Sequence, residues 1–258
     1  MFLQNPADRA GLAALLTIIW ALIIMQALSK YTLPHIFAHD IDKPVLALEL
    51  ARGASDIDAV LHRAEPDKAA IAHDSMWLGN VLDLVFIPIY GYFLWSVARV
   101  FGGFSRLLLA LILGTALFDY IEDWQIFRAL KGANPPIYIP SLVKWGLLGL
   151  ALLATAIILL RSEKPVYSQA VKRMLAIAYL ASAGLLLAGV ALGERIGYSP
   201  VELAIQIFSL IVAFHLIGLL GRHFSIPGIR RTYVENFCEE RRRPGKESLT
   251  AVKPERVQ

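Results

Sequence analysis

The 258-residue chain is 57% hydrophobic and 18% charged, which is more apolar surface than a soluble globule of this length can enclose. Its apolar residues fall in blocks of about 20, the length a helix needs to cross a membrane core, and lack the ten-residue alternating segments of a transmembrane β-barrel. A net charge of +4 and a pI near 9.2 do not signal nucleic-acid binding, because the basic residues flank the apolar blocks and crowd into the last 37 or so residues. The predicted fold is an all-α polytopic membrane bundle of six transmembrane helices. Cys238, the single cysteine, excludes an intramolecular disulfide and a cysteine-based metal cluster.

In chain order, residues 1–31 hold a first anchor, Ala10 to Leu28, too long for the core of a secretory signal. Residues 32–75 turn polar and acidic. There Pro44 opens a short helix through Leu50, and Ser55-Asp56-Ile57-Asp58 has the form of a capping box opening another. Val45, Leu46, Leu48, Leu50, Ile57, Val60 and Leu61 give these helices one apolar side, so they form an extracytoplasmic cap.

Residues 76–161 carry spans two to four. Span two, Met76 to Val97, places Asn80, Asp83 and Tyr90 on one face, and Pro88 frees the carbonyl of Leu84 and predicts a kink. Span three, Leu107 to Phe127, contains Asp119, Glu122 and Asp123 at spacings that share a face. Span four, Tyr138 to Leu160, carries Lys144 and Trp145 in its first turns. Residues 162–221 hold span five, Met174 to Leu192, with Gly184 and Ala188 at a spacing that lets helices approach closely, and span six, opened by Ser199-Pro200-Val201-Glu202. Residues 222–258 are a basic, partly disordered tail, read as topology control rather than lipid-headgroup contact.

Sixteen lysines and arginines on one side of this arrangement oppose eight on the other, Lys144 excluded. That bias places both termini in the cytoplasm and the cap outside, in the inner membrane of a bacterium. Asp83 and Asp119 then lie about 12 Å, and Lys144 about 9 Å, below the outer interface at roughly 1.5 Å per residue. Asn80, Asp83, Tyr90, Asp119, Glu122, Asp123 and Lys144 converge on one level. Lys144 is the cation for Glu122 or Asp119, and Asp83 is placed to share a proton with Tyr90, Asn80 or Asp119.

Three readings of that cluster stand side by side. The first is a non-catalytic structural or accessory membrane protein whose cluster clamps spans two to four. The second is a small proton- or cation-coupled transporter, since intramembrane acids mark ion pathways. The third is an enzyme acting on a lipid headgroup. No cofactor is expected, and the expected partners are membrane lipids and a second copy, through the Gly184 face, or another membrane protein. His35, His39 and Asp40 are a weak metal-site candidate, outweighed by chance spacing. His62, His73 and His223 are expected to be solvated, and His215 to be bonded inside the bundle rather than metal-bound.

Leu48-Glu49-Leu50-Ala51-Arg52, Asp83 with Phe86 and Tyr90, Asp119-Tyr120-Ile121-Glu122-Asp123 and Lys144-Trp145-Gly146 together resemble a loose family of uncharacterised bacterial multi-pass membrane proteins. That family has a Glu-Leu-Ala loop helix, an Asp-x-x-Phe span with a tyrosine, an Asp-x-x-Glu-Asn span and a Lys-Trp span. The resemblance covers Leu48 to Leu160 and supports the grouping of Asp83, Asp119, Glu122 and Lys144. Asp123 stands where the family has asparagine, and the family lends no activity.

Overall fold

A computed structural model describes residues 5–29, 43–103, 105–196 and 199–220. The described residues are helical throughout their regular structure: α1 (Pro6–Ala27), α2 (Pro44–Glu49), α3 (Ala54–Val60), α4 (Pro66–Val100), α5 (Arg106–Leu130), α6 (Tyr138–Arg161), α7 (Gln169–Ile196) and α8 (Ser199–Leu220). Five of them, α1, α4, α6, α7 and α8, are long and apolar enough to cross a membrane. The expectation of six spans is matched by composition only to that extent, because α5 carries three acids in its second half.

The long helices close into a ring. Each packs on the next long helix in the chain, and α8 returns to pack on α1. Side chains fasten neighbouring members: Trp20 Nε1 of α1 donates to the Leu82 carbonyl of α4 at 2.7 Å, and Ser182 Oγ of α7 donates to the Ala204 carbonyl of α8 at 2.9 Å. Close approach of α7 and α8 is made at Gly189, where a Cβ would meet Val201 Cγ2 at 2.5 Å. At Gly184 a Cβ would meet nothing within 4 Å, so that glycine makes no close approach to another described helix of the chain. The outer surface of the ring is apolar, with Leu22 and Met25 on α1, Ile177 on α7 and Leu210 and Ile217 on α8 all exposed.

Helix α4 runs without interruption through Pro88, and at about 1.5 Å per residue its 35 residues reach roughly 52 Å, beyond the thickness of a hydrocarbon core. The carbonyl of Leu84, which the proline leaves without its helical donor, accepts instead from the Tyr120 hydroxyl of α5 at 3.2 Å. A proline that would cost a helix its hydrogen bond is thereby tied to the neighbouring helix.

The short helices α2 and α3 sit at the end of the ring where α4 begins and α5 ends. Pro44 opens α2, as its sequence indicates, and Leu46, Leu48, Leu50, Ile57, Val60 and Leu61 are all buried. The proposed capping box on α3 is corrected. The helix begins two residues early with Gly53 as its cap, Ser55 lies inside it, and Asp56 reaches back to accept from the Arg52 amide at 3.0 Å. Arg63 latches this cap to the ring: its guanidinium donates to the carbonyls of Ala129 and Ala133 at 2.6 and 3.2 Å, to Asn134 and to Asp58. The Lys43 amide adds a bond to Glu202 of α8 at 2.8 Å.

Candidate functional site

A buried lysine organises the end of the ring beneath the cap. Lys144 lies on the second turn of α6, is 4% exposed, and has its stem on the face of α6 that packs inward with Ser141, Leu148 and Leu152. Its Nζ is 2.6 Å from Glu122 Oε2, 3.1 Å from Asp119 Oδ1 and 3.1 Å from Glu49 Oε2. The neighbouring Trp145 ring also lies under the ammonium, 4.5 Å from nitrogen to centroid. Three carboxylates from two elements therefore share one cation.

Helix α5 delivers its acids because it is amphipathic in an unusual sense. Leu113, Leu117 and Trp124 are exposed on one side, while Thr115, Asp119, Glu122, Asp123 and Ile126 are buried on the other. The i, i+3 and i+4 spacing of the acids puts them on one face, as their positions in the sequence require. The Thr115 hydroxyl is satisfied within the helix by the Leu111 carbonyl at 2.8 Å. The carboxylates have no such internal partner and must look across to α4, α6 and α2.

From α4, Tyr90 donates its hydroxyl to Asp119 Oδ2 at 2.6 Å, and Asn80 Nδ2 donates to the backbone carbonyl of Asp123 at 3.0 Å. Both oxygens of Asp119 are thus occupied, one by lysine and one by tyrosine. Asp83 lies between Asn80 and Tyr90 on the same face of α4, half-buried and within electrostatic range of Asp119, Lys144 and Glu49. It forms no hydrogen bond among the described residues. Glu122 Oε1 and Asp123 Oδ2 are buried and have no hydrogen-bond donor among the described residues.

Glu49 is the member of the site that the sequence reading leaves out. It lies at the end of α2, between the buried leucines Leu48 and Leu50, and its Oε2 accepts from Trp145 Nε1 at 3.0 Å as well as facing Lys144. Burial raises its carboxyl above the ordinary carboxylate range; the Lys144 charge opposes that rise and the Asp119 charge adds to it. The signal for it was present in the Glu-Leu-Ala segment of the resemblance, but residue spacing alone cannot connect a loop helix to a distant span.

Other candidates fall elsewhere. His35, His39, Asp40, Cys238 and His223 lie outside the described residues. Among the described residues no group of three histidines, cysteines or acids has the geometry to hold a metal ion. His62, expected in solvent, is buried at the α3–α4 turn with a positive φ of 50°, its Nδ1 3.3 Å from Glu65. His215 is fully buried, and Tyr167, Tyr179, Phe93 and Phe101 surround it. No family model, curated protein or solved structure matches this chain.

Proposed function

We propose that this is an integral membrane protein of six spans, α5 being the sixth, and that its carboxylate–lysine cluster is the proton-exchanging site of a small proton-coupled transporter. The observation that carries this reading is the surplus of acids. Glu49, Asp119 and Glu122 contact the ammonium of Lys144, Asp83 and Asp123 lie within its electrostatic range, and Glu122 Oε1 and Asp123 Oδ2 have no donor among the described residues. A clamp needs one or two carboxylates per lysine. In a membrane each further anion costs about 2.5 to 3.5 kcal/mol on insertion scales unless a proton or cation offsets it.

The exposed leucines and tryptophan of α5 support its place as a span, since they give it a lipid-compatible side opposite its acids. The lysine and arginine bias supports a bacterial cytoplasmic membrane with both termini inside and the cap outside. On that orientation the site lies in the outer half of the bilayer, under α2.

The test is flux in proteoliposomes. With an imposed pH gradient, a panel of amino acids, sugars and organic cations is expected to include at least one solute whose uptake depends on the gradient. Asp83→Asn is expected to abolish that uptake with the melting temperature retained, because Asp83 bonds to nothing that holds the ring together. Absence of gradient-dependent uptake across the panel overturns the reading.

A second reading, the structural or accessory one, is favoured by a different observation: Lys144 gathers α2 and α5 onto α6, and Tyr90 adds α4 through Asp119. Under it the cluster contributes only to stability and Asp83→Asn changes no flux.

A further inference from the structure

The end of the ring away from the cap holds a second buried polar group with no part in the cluster. His215 of α8 is 0% exposed and sits in a box of rings: Phe93 from α4 and Phe101 just beyond its end, Tyr167 from the segment between α6 and α7, and Tyr179 from α7, with centroids 5.8 to 6.3 Å from its own. Its Nδ1 is engaged by the Tyr167 hydroxyl at 3.3 Å. That contact is built into the helix, because Gly218 lies one turn beyond His215 and a Cβ there would stand 2.7 Å from the Tyr167 oxygen.

The other polar atoms in the box are unsatisfied. His215 Nε2 and Tyr179 Oη are both buried and have no hydrogen-bond partner among the described residues, although their rings are neighbours. Nearly every buried polar group in a folded protein is bonded, so two orphans on adjoining side chains call for one shared partner. Its chemistry is constrained. A neutral imidazole nitrogen and a phenol can each donate or accept, and the surrounding rings carry no ionised group, so the partner is neutral and itself both donor and acceptor. Rings close the box on several sides, so it is also small. Water meets all three conditions.

We propose that His215 Nε2 and Tyr179 Oη hold a water molecule, making a proton-exchanging site in the half of the bundle opposite the carboxylate cluster. Imidazole, water and phenol in series can pass a proton by exchanging donor and acceptor roles, which a histidine packed dry cannot do. The site stands on its own geometry and does not depend on the proton-coupled reading of the cluster.

The experiment is water-to-nitrogen magnetisation transfer in the full chain, labelled with 15N-histidine and reconstituted in lipid bilayers, the His215 ring signals being identified as those lost in His215→Gln. In the wild type the His215 ring nitrogens are expected to receive magnetisation from water. Tyr179→Phe, a core-compatible change checked by its melting temperature, is expected to slow the build-up several-fold. No transfer to His215 in the wild type overturns the site outright. Transfer that Tyr179→Phe leaves unchanged in a folded protein overturns the assignment of Tyr179 as the second holder. Because neither readout involves flux or the acids under the cap, failure here is separable from failure of the transporter reading.

Discussion

The Lys144 ammonium lies 3.1 Å from the Glu49 carboxylate, so an ion pair joins an apolar membrane-length helix to a six-residue helix of the cap. That bond changes what the cluster is. Without Glu49 it is a contact among helices of the ring; with it, the cap is part of the site and covers it.

Lysine is the keystone of the arrangement, and its loss is expected to be the most damaging single change. Lys144→Met leaves Glu49, Asp119 and Glu122 facing one another without a cation, and removal of one partner from a buried pair costs about 3 to 5 kcal/mol. The melting temperature in detergent is expected to fall by roughly ten degrees or more. The double change Lys144→Met with Asp119→Asn is expected to recover part of that loss, since it removes one of the three carboxylates left without a cation.

Tyr90 and Tyr120 both donate from a hydroxyl, and their burial separates them. Tyr90→Phe deprives a buried Asp119 oxygen of its 2.6 Å donor and is expected to cost about 1 to 3 kcal/mol. Tyr120 is 42% exposed and bonds a neutral carbonyl, so Tyr120→Phe is expected to cost less than about 1 kcal/mol. Melting curves of the two variants side by side check the order.

Glu49 gives the cap a pH dependence whose sign follows from its burial. The folded protein holds the Glu49 proton more tightly than the unfolded chain, where the carboxyl has its ordinary value of 4.5. Its contribution to stability is therefore fully present below that value and is lost as the pH rises through the folded one. Glu49→Gln keeps an acceptor for Trp145 and does not titrate. The melting temperature of the wild type minus that of Glu49→Gln is expected to fall as the pH rises above 4.5.

Arg63 holds the cap to the end of α5 through two carbonyls, and a charged donor to a carbonyl contributes about 1.5 to 3 kcal/mol. Arg63→Ala is expected to raise hydrogen exchange across α2 and α3 by tenfold or more, with exchange in α7 and α8 unchanged. Exchange mapped by mass spectrometry reads both together.

Hydropathy and helical periodicity were enough to locate α1, α4, α6, α7 and α8 and to place the α5 acids on one face, because membrane length and the 3.6-residue turn are local properties. They could also bring Asp119, Glu122 and Lys144 to a common depth. What they could not reach depends on contacts far apart in the chain. Glu49 enters the site only because α2 folds over α5. Gly189 makes the close approach of α7 to α8 because helix rotation is set by packing. His62 is buried because the α3–α4 turn presses it inward, and polarity alone gave no sign of that.

On the proposed reading the cluster holds more acids than its lysine neutralises, and the surplus takes up protons. Infrared spectroscopy of the reconstituted protein at neutral pH tests it most directly, by the carbonyl stretch that only a protonated carboxyl shows. Such a band is expected in the wild type, shielded from bulk deuterium exchange, and weaker in Asp83→Asn and in Asp123→Asn. A spectrum at neutral pH with no protonated-carboxyl band, identical in both variants, would contradict it.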